Sequence, residues 1–193
     1  MVLLAILVAI MLIFAFTPLG FLRVGAIEIT FMIIPIAIGA ILLGPQGGAI
    51  LGALFGAISF FQCFGLSPLG VILLGINPIY TFITCVIPRI LCGLIPGFIF
   101  KAMIKHDKTK TVAYYITALL TALLNTIFFV GCIIIFFWKS ETFSNTMTGF
   151  GISMNSFWLF IVGFVGTNGI IEAVVNFIIG ASIAKVVAKV AKK

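Results

Sequence analysis

A few polar and ionisable residues interrupt otherwise apolar stretches of this sequence, and they are the candidates for chemistry. Arg89 and Asn125 each lie well inside a long apolar stretch. Asn168, Glu172 and Asn176 recur at a spacing of four residues, which places them on one face of a helix. A guanidinium group can hold a carboxylate through two parallel hydrogen bonds, and side-chain amides both donate and accept them. This set therefore predicts a binding site for a small anionic molecule.

Two structural alternatives compete with binding. Arg89 and Glu172 could form an ion pair with each other, and the face formed by Asn168, Glu172 and Asn176 could hydrogen-bond to a neighbouring helix. Ionisable residues inside a membrane span are costly and suggest function by default. The sequence leaves both alternatives open.

No pattern typical of catalysis is present in the sequence. The single histidine, His106, stands beside Asp107 in a lysine-rich turn, where we expect it to be solvated. Motifs of zinc proteases, P-loop ATPases and serine hydrolases are missing, and four acidic residues leave little for a metal site. The four cysteines are Cys63, Cys85, Cys92 and Cys132. They lie in apolar stretches without a CxxC pair, so we expect them to be small apolar packing groups that form no disulfide and bind no metal. Because no catalytic motif is present, we also expect no cofactor and no enzymatic activity.

The composition indicates an integral membrane protein. Of the 193 residues, 63% are hydrophobic and only 8% are charged, whereas a soluble domain has about 25% charged residues. The mean hydropathy is +1.40. Since a spanning helix needs ~20 mostly apolar residues, we predict an all-α fold in which one domain, 1–193, forms a bundle of about six transmembrane helices.

Proline, glycine and polar clusters divide the chain into the predicted helices. Their bounds are Val2–Phe16, Thr30–Leu43, Gly47–Phe64, Pro78–Lys105, Thr111–Trp138 and Phe157–Lys189. The second is short for a bilayer, so either this helix starts below the membrane surface or the loop beside it folds into the membrane. Such backbone is tolerated at depth only where protein covers it or where it lines a cavity.

Two local patterns refine these helices. Asn77 before Pro78 is typical of a capped helix start, and we also place Asn77 among the predicted substrate-binding residues. Gly48, Gly52 and Gly56 recur every four residues, which predicts close packing against another helix.

The net charge of +7 comes from lysines at the ends of apolar stretches. The two clusters are Lys101, Lys105, Lys108 and Lys110, and Lys185, Lys189, Lys192 and Lys193. Because positive charge marks cytoplasmic ends, both termini are predicted to be cytoplasmic, and nucleic-acid binding is not expected. The long loops 17–30, 65–77 and 138–157 then face outward. Arg23 and Glu28 in the first loop are predicted lid residues, with an interfacial ion pair as the alternative.

An ordered set of short motifs resembles a known family over nearly the whole chain. The motifs are Ala5-x-x-x-Ala9, Ile38-Gly39-Ala40-Ile41-Leu42-Leu43-Gly44-Pro45, Pro88-Arg89-x-Leu91-x-Gly93 and Thr167-Asn168-Gly169-Ile170-Ile171-Glu172-Ala173. The sequence resembles the substrate-binding S-components of energy-coupling factor (ECF) vitamin transporters, and within them the branch of the pantothenate and folate S-components.

The resemblance implies a six-helix vitamin-binding protein in the cell membrane. Its partners would be a transmembrane coupling protein and two ATPase subunits. In that family the small-residue surface of the first helix contacts the coupling protein, and Ala5 and Ala9 match it. The alternative is that Ala5 and Ala9 pack inside this chain.

Pantothenate is the first choice of vitamin because it is small and anionic and forms many hydrogen bonds. Folate or riboflavin would need aromatic stacking partners, and the sequence offers Trp138, Trp158, Tyr80 and Tyr114. A membrane-embedded enzyme and a purely structural subunit remain the rival classes of function.

Overall fold

The fold is taken from a computed structural model of the chain. The structure describes residues 2–17, 21–24, 27–105, 111–149, 151–152, 156–165 and 168–190. Within these ranges it leaves undescribed the side chains of residues 21–24, 27–29, 157, 164, 165, 168 and 190.

Helices dominate the described chain, as predicted. The helices are α1 Val2–Phe16, α2 Ile33–Leu42, α3 Gly44–Gln62, α4 Pro68–Ile76, α5 Pro78–Met103, α6 Thr111–Phe137, α7 Glu141–Gly149, α8 Phe157–Val165, α9 Asn168–Val175 and α10 Ala181–Val190. A π-helical turn, Asn176–Gly180, joins α9 to α10. Among the described residues, four apolar helices are long enough to cross a membrane, namely α3, α5, α6 and the continuous stretch Gly169–Lys189.

Helices α3 and α5 form the tightest helix pair, through the predicted glycine stripe. A Cβ on Gly48 would collide with the backbone of Gly93, and one on Gly52 would collide with the carbonyl of Arg89. A Cβ on Gly56 would lie only 2.8 Å from the Cα of Val86. The glycines therefore let the two backbones touch, and the predicted packing role of the stripe is confirmed.

The segment before α2 differs from the prediction. The sequence predicted a loop over residues 17–30, but the chain forms two antiparallel strands there, β1 Phe21–Val24 and β2 Ile27–Thr30. The second helix accordingly begins at Ile33 rather than at Thr30. The strands give these residues paired backbone groups, which lowers the cost of non-helical chain next to a membrane.

Two segments predicted as loops contain helices. Residues 65–77 include α4, whose start is capped by Ser67 accepting a hydrogen bond from the amide of Gly70 (3.2 Å). The glycines that indicated a loop have another reason, since a Cβ on Gly70 would lie 2.7 Å from the Sγ of Cys63. Residues 138–157 include α7, which buries Phe143 and Met147, four positions apart on one helical face.

The apolar core has two main parts. The larger one includes buried residues of α1, α2, α3, α5 and α6. The second lies where α6 ends and joins residues of α4, α6, α7 and α8, including Phe137, Phe143 and Phe160. The helices α4 and α7 thus form a packed cap over one end of the bundle.

Candidate functional site

Arg89 lies in the middle of α5 and is buried, with 7% of its surface exposed. Its local setting follows from the preceding proline. Pro88 has no backbone N–H, so it cannot bond the carbonyl of Thr84 one turn earlier. The Nη1 of Arg89 donates to that carbonyl instead, at 2.7 Å. The Pro-Arg pair thereby satisfies a backbone acceptor inside the bundle and turns the arginine side chain into the interior.

The guanidinium group of Arg89 is held between two aromatic rings. Its central carbon lies 4.3 Å from the ring centre of Phe129 on α6 and 5.4 Å from that of Phe55 on α3. Such cation–π contacts stabilise a desolvated cation without neutralising it. The buried Nε of Arg89 has no hydrogen-bond partner within the described part of the chain. Arg89 therefore keeps a donor available to an acceptor from outside the chain.

Glu172 is also buried, and its carboxylate has a specific partner. Its Oε1 accepts the backbone N–H of Thr30 at 2.8 Å, a contact between residues 142 positions apart. This bond joins the end of β2 to the last long span and satisfies a buried backbone donor beside non-helical chain. Among the described residues, Arg89 and Glu172 do not form a salt bridge with each other. The ion pair offered as the alternative function of Arg89 is thus not formed.

Two buried asparagines extend the polar interior. Asn176 opens the π-helical turn and donates from Nδ2 to the carbonyl of Ala118 on α6. Asn125 lies on α6, one helical turn from Phe129. The Oδ1 atoms of both asparagines have no hydrogen-bond partner in the described structure. Unsatisfied buried polar atoms are uncommon and call for a specific reason such as a ligand or water.

The structure brings several of the predicted binding residues into one region. Cys92 on α5, Ala122 on α6 and Ala173 on α9 belong to one buried core cluster, and each is close in sequence to Arg89, Asn125 or Glu172. Phe129 links Arg89 to the face of α6 that carries Asn125. The interior between α5, α6 and α9 therefore combines one cation, one carboxylate and amide oxygens in an apolar surround.

Other predicted residues lie elsewhere or outside the described parts. Asn77 caps α5, its Oδ1 accepting from the amides of Ile79 (3.0 Å) and Tyr80 (3.2 Å). Twelve residues separate it from Arg89, which is about 18 Å along a helix. Asn168 begins α9, but its side chain lies outside the described residues.

The two predicted lid residues occupy paired positions. Arg23 on β1 and Glu28 on β2 are directly opposite each other in the strand register. Their side chains lie outside the described residues, so their roles remain predictions.

Ala5 and Ala9 are exposed on α1, on the side away from its buried residues Leu7 and Met11. The alternative that this alanine pair packs inside the chain therefore does not describe the structure.

A cavity of about 470 Å³ lies at the C-terminal end of α5. It is lined by the α2–α3 corner and the last turns of α5, including Gln46 and Lys101. None of the predicted binding residues lines this cavity, so it does not coincide with the polar interior around Arg89.

Four contributors to the site were missed in the sequence, namely Thr84, Thr30, Phe129 and Phe55. Thr84 could have been found from Pro88, since a proline inside a helix frees the carbonyl four residues earlier. Thr30, Phe129 and Phe55 have no such signal. Their contacts with Glu172 and Arg89 join different elements and arise only from tertiary packing.

Comparison with known proteins assigns a class to this bundle. The chain belongs to the family described as "ECF transporter, substrate-specific component", whose profile matches residues 1–184. The predicted family is confirmed, and with it a multi-pass membrane protein that is a component of a transporter.

One protein similar to this chain is a pantothenate transporter. The pantothenate transporter PanT of Leuconostoc mesenteroides subsp. mesenteroides is 31% identical over 180 residues. The match covers 92% of this chain and 83% of the relative.

Proposed function

We propose that this chain is the pantothenate-binding S-component of an ECF importer, and that it binds the vitamin in the polar interior around Arg89. The substrate-binding residues are Arg89, Asn125, Asn168, Glu172 and Asn176. The similarity to a pantothenate transporter supports the choice of vitamin. We further propose that the chain is not an enzyme and that it delivers the vitamin without changing it.

The environment of Arg89 is the observation that carries this proposal. A buried cation without a carboxylate partner among the described residues is costly inside a membrane protein. A ligand carboxylate would supply the missing charge, and the free Nε would supply a hydrogen bond to it. The Oδ1 atoms of Asn125 and Asn176 are acceptors suited to hydroxyl and amide donors. Pantothenate carries one carboxylate, two hydroxyls and an amide, which matches this set.

The aromatic residues favour a small vitamin over folate or riboflavin. Tyr80 is stacked on Phe136, with ring centres 4.8 Å apart. Trp138 packs edge-on against Phe160 at 5.4 Å, and Tyr114 packs in the same way against a phenylalanine of α5. Each of these rings is already in contact with another ring of the protein. Trp158 is mostly exposed on the surface, so it is a poor candidate for a buried stacking partner.

The proposed topology has six spans with both termini in the cytoplasm. The four long apolar helices would be joined by the shorter apolar helices α1 and α2. The ring of Phe100 near the end of α5 contacts Tyr114 near the start of α6, and Tyr115 lies 3.5 Å from Ser182 of α10. The ends of α5 and α10, which carry most of the described lysines, therefore lie at the same end of the bundle. The positive-inside rule favours placing this end in the cytoplasm.

The proposed partners are a transmembrane coupling protein and two ATPase subunits, as is implied by the family. We propose that Ala5 and Ala9 form the contact with the coupling protein. Their exposure and small size support this, because small residues let two membrane helices approach closely. We propose that the hairpin with Arg23 and Glu28 acts as a lid on the outward side.

Binding to the purified protein tests the proposal. Titration calorimetry with pantothenate, folate and riboflavin should give saturable binding for pantothenate alone, and mass spectrometry should recover the vitamin unchanged. Replacing Arg89 by Ala should weaken binding by about 2–5 kcal/mol, since a desolvated charge pair would be lost. Lys101→Ala is the matched control, because it removes an exposed cation from the same helix. Equal affinity of Arg89→Ala and Lys101→Ala would reject Arg89 as a ligand.

A further inference from the structure

Two cysteines that are far apart in the sequence lie in contact near the cap. Cys63 follows the last residue of α3, and Cys85 lies in the second turn of α5. Their sulfur atoms are 3.7 Å apart, although the residues are separated by 22 positions in the sequence. Both side chains are buried, with 3% and 4% of their surfaces exposed. Apolar packing alone does not require two thiols to meet.

This thiol pair lies where three helices join. Cys63 packs directly against α4, because a Cβ added to Gly70 of α4 would lie only 2.7 Å from the Cys63 sulfur. Cys85 is one helical turn before Arg89, on the same face of α5. A covalent bond between the two sulfurs would therefore tie the base of α4 to the part of α5 that carries Arg89.

We propose that Cys63 and Cys85 form a reversible disulfide under oxidising conditions, and that this bond holds α4 against α5 next to the candidate site. A disulfide needs a sulfur–sulfur distance of about 2.05 Å. The sulfurs must approach by about 1.7 Å, which rotation of the two side chains can supply. The backbones of α3 and α5 approach closely at Gly56, where an added Cβ would lie 3.0 Å from the carbonyl oxygen of Cys85. This close approach keeps the two helices within the range that a disulfide requires.

The chemistry uses a peroxide as oxidant. One thiol loses its proton, and the thiolate attacks one oxygen of hydrogen peroxide. The O–O bond breaks, the sulfur becomes a sulfenic acid, and the leaving hydroxide takes up the thiol proton and becomes water. The second sulfur attacks the sulfenic sulfur, the S–S bond forms, and the hydroxyl group leaves as water with the remaining thiol proton. In total the thiols lose two protons and two electrons, and one peroxide is reduced to two waters.

The position of the pair agrees with an oxidising environment. Cys63 lies at the end of α3, and Gly97 near the other end of α5 contacts the start of α3 at Pro45. The thiols are thus at the end of the bundle opposite Lys101. In the orientation of the proposed function, on which this step rests, that end faces outward, where disulfides persist.

Counting thiols tests the pair directly. The full chain is purified in detergent, reduced, freed of reductant, treated with hydrogen peroxide, then denatured and alkylated with a maleimide. Intact mass spectrometry should show four alkylated cysteines before oxidation and two after it, with Cys63 and Cys85 found in one linked peptide. Dithiothreitol should restore all four. The control Cys63→Ser should show three alkylated cysteines both with and without peroxide.

Other results would reject the pair. Four alkylated cysteines after peroxide, a link to Cys92 or Cys132, or higher oxidation of one cysteine without a link would each overturn the proposal.

Hydrogen exchange tests the consequence for α4. The amides of α4 should exchange more slowly in the oxidised than in the reduced protein, and Cys63→Ser should show no difference. Equal exchange in both forms of the natural chain would overturn the effect on α4. Neither measurement uses a vitamin, so a failure here is distinguishable from a failure of the proposed pantothenate binding.

Discussion

Replacing Gly52 by Ala adds a single methyl group at the closest approach of α3 and α5. The new Cβ would collide with the carbonyl oxygen of Arg89, and it would lie 2.8 Å from the carbonyl carbon and 3.1 Å from the Cα of Ile90. Ordinary carbon–carbon contacts lie at about 3.5–4.0 Å. All three neighbours are backbone atoms, which cannot rotate away as a side chain could.

The two helices must therefore separate by about 1 Å, the difference between the ordinary and the enforced distances. Overpacking a well-packed interior costs about 1–3 kcal/mol, and the rigid neighbours place Gly52→Ala near the upper value. For a chain of this size, that corresponds to a fall in the unfolding temperature of roughly 6–12 °C. The separation also displaces Arg89, so we expect the affinity for pantothenate to fall together with stability.

Thermal unfolding in detergent measures the effect, followed by the loss of helical circular dichroism. Gly131→Ala is the matched control, because Gly131 lies inside α6 and an added Cβ would meet nothing within 4 Å. The control should retain the unfolding temperature of the natural chain or slightly exceed it, since Ala favours helix over Gly. If Gly52→Ala unfolds at the same temperature as Gly131→Ala, the close packing of α3 on α5 is refuted.

Three further predictions concern other contacts of the chain. Glu172→Ala should destabilise the protein by about 1–3 kcal/mol because it leaves the buried N–H of Thr30 unsatisfied. Glu172→Gln keeps an acceptor and should lose less stability in thermal unfolding. Equal losses of stability in the two variants would contradict the role of that bond. Asn77→Ala should cost about 1 kcal/mol of stability through loss of the helix cap yet leave pantothenate affinity unchanged in calorimetry, whereas weakened binding would return Asn77 to the site. The double replacement of Ala5 and Ala9 by Trp should abolish pull-down of the coupling protein. Folding and vitamin affinity should persist, because both positions are exposed. Intact assembly would show that this surface does not contact the coupling protein.

The helical class and the long spans were predictable because they depend on local composition. A run of apolar residues of sufficient length can satisfy its backbone only as a helix inside a membrane. The bounds of α1 agree with the prediction, and those of α5 and α6 differ from it by only one or two residues at one end. The cap at Asn77 and the glycine stripe of α3 were equally local, since each depends on residue type and spacing.

The short helices were harder to predict from the sequence. Gly70 signals a loop by composition, yet it lies in α4, and the residue is a glycine because Cys63 leaves no space for a side chain there. Phe143 and Met147 are apolar residues in a polar segment, and they form a helix face only because the end of α6 offers a surface to cover. In both segments, tertiary contacts outweighed local preference.

For the candidate site, the sequence by itself determined which residues are polar within apolar spans, and therefore that Arg89, Asn125, Glu172 and Asn176 have to be accommodated in the interior. Only the tertiary structure decided their partners. Glu172 bonds to Thr30 rather than to Arg89, and Arg89 lies between two phenylalanine rings with its Nε without a partner in the described chain. The same holds for Cys63 and Cys85, which the sequence suggested were separate apolar groups and which packing brings into contact. The physical reason is common to all of them: burial is set by composition along the chain, whereas a hydrogen bond or a thiol contact depends on distances of a few ångströms between elements far apart in sequence.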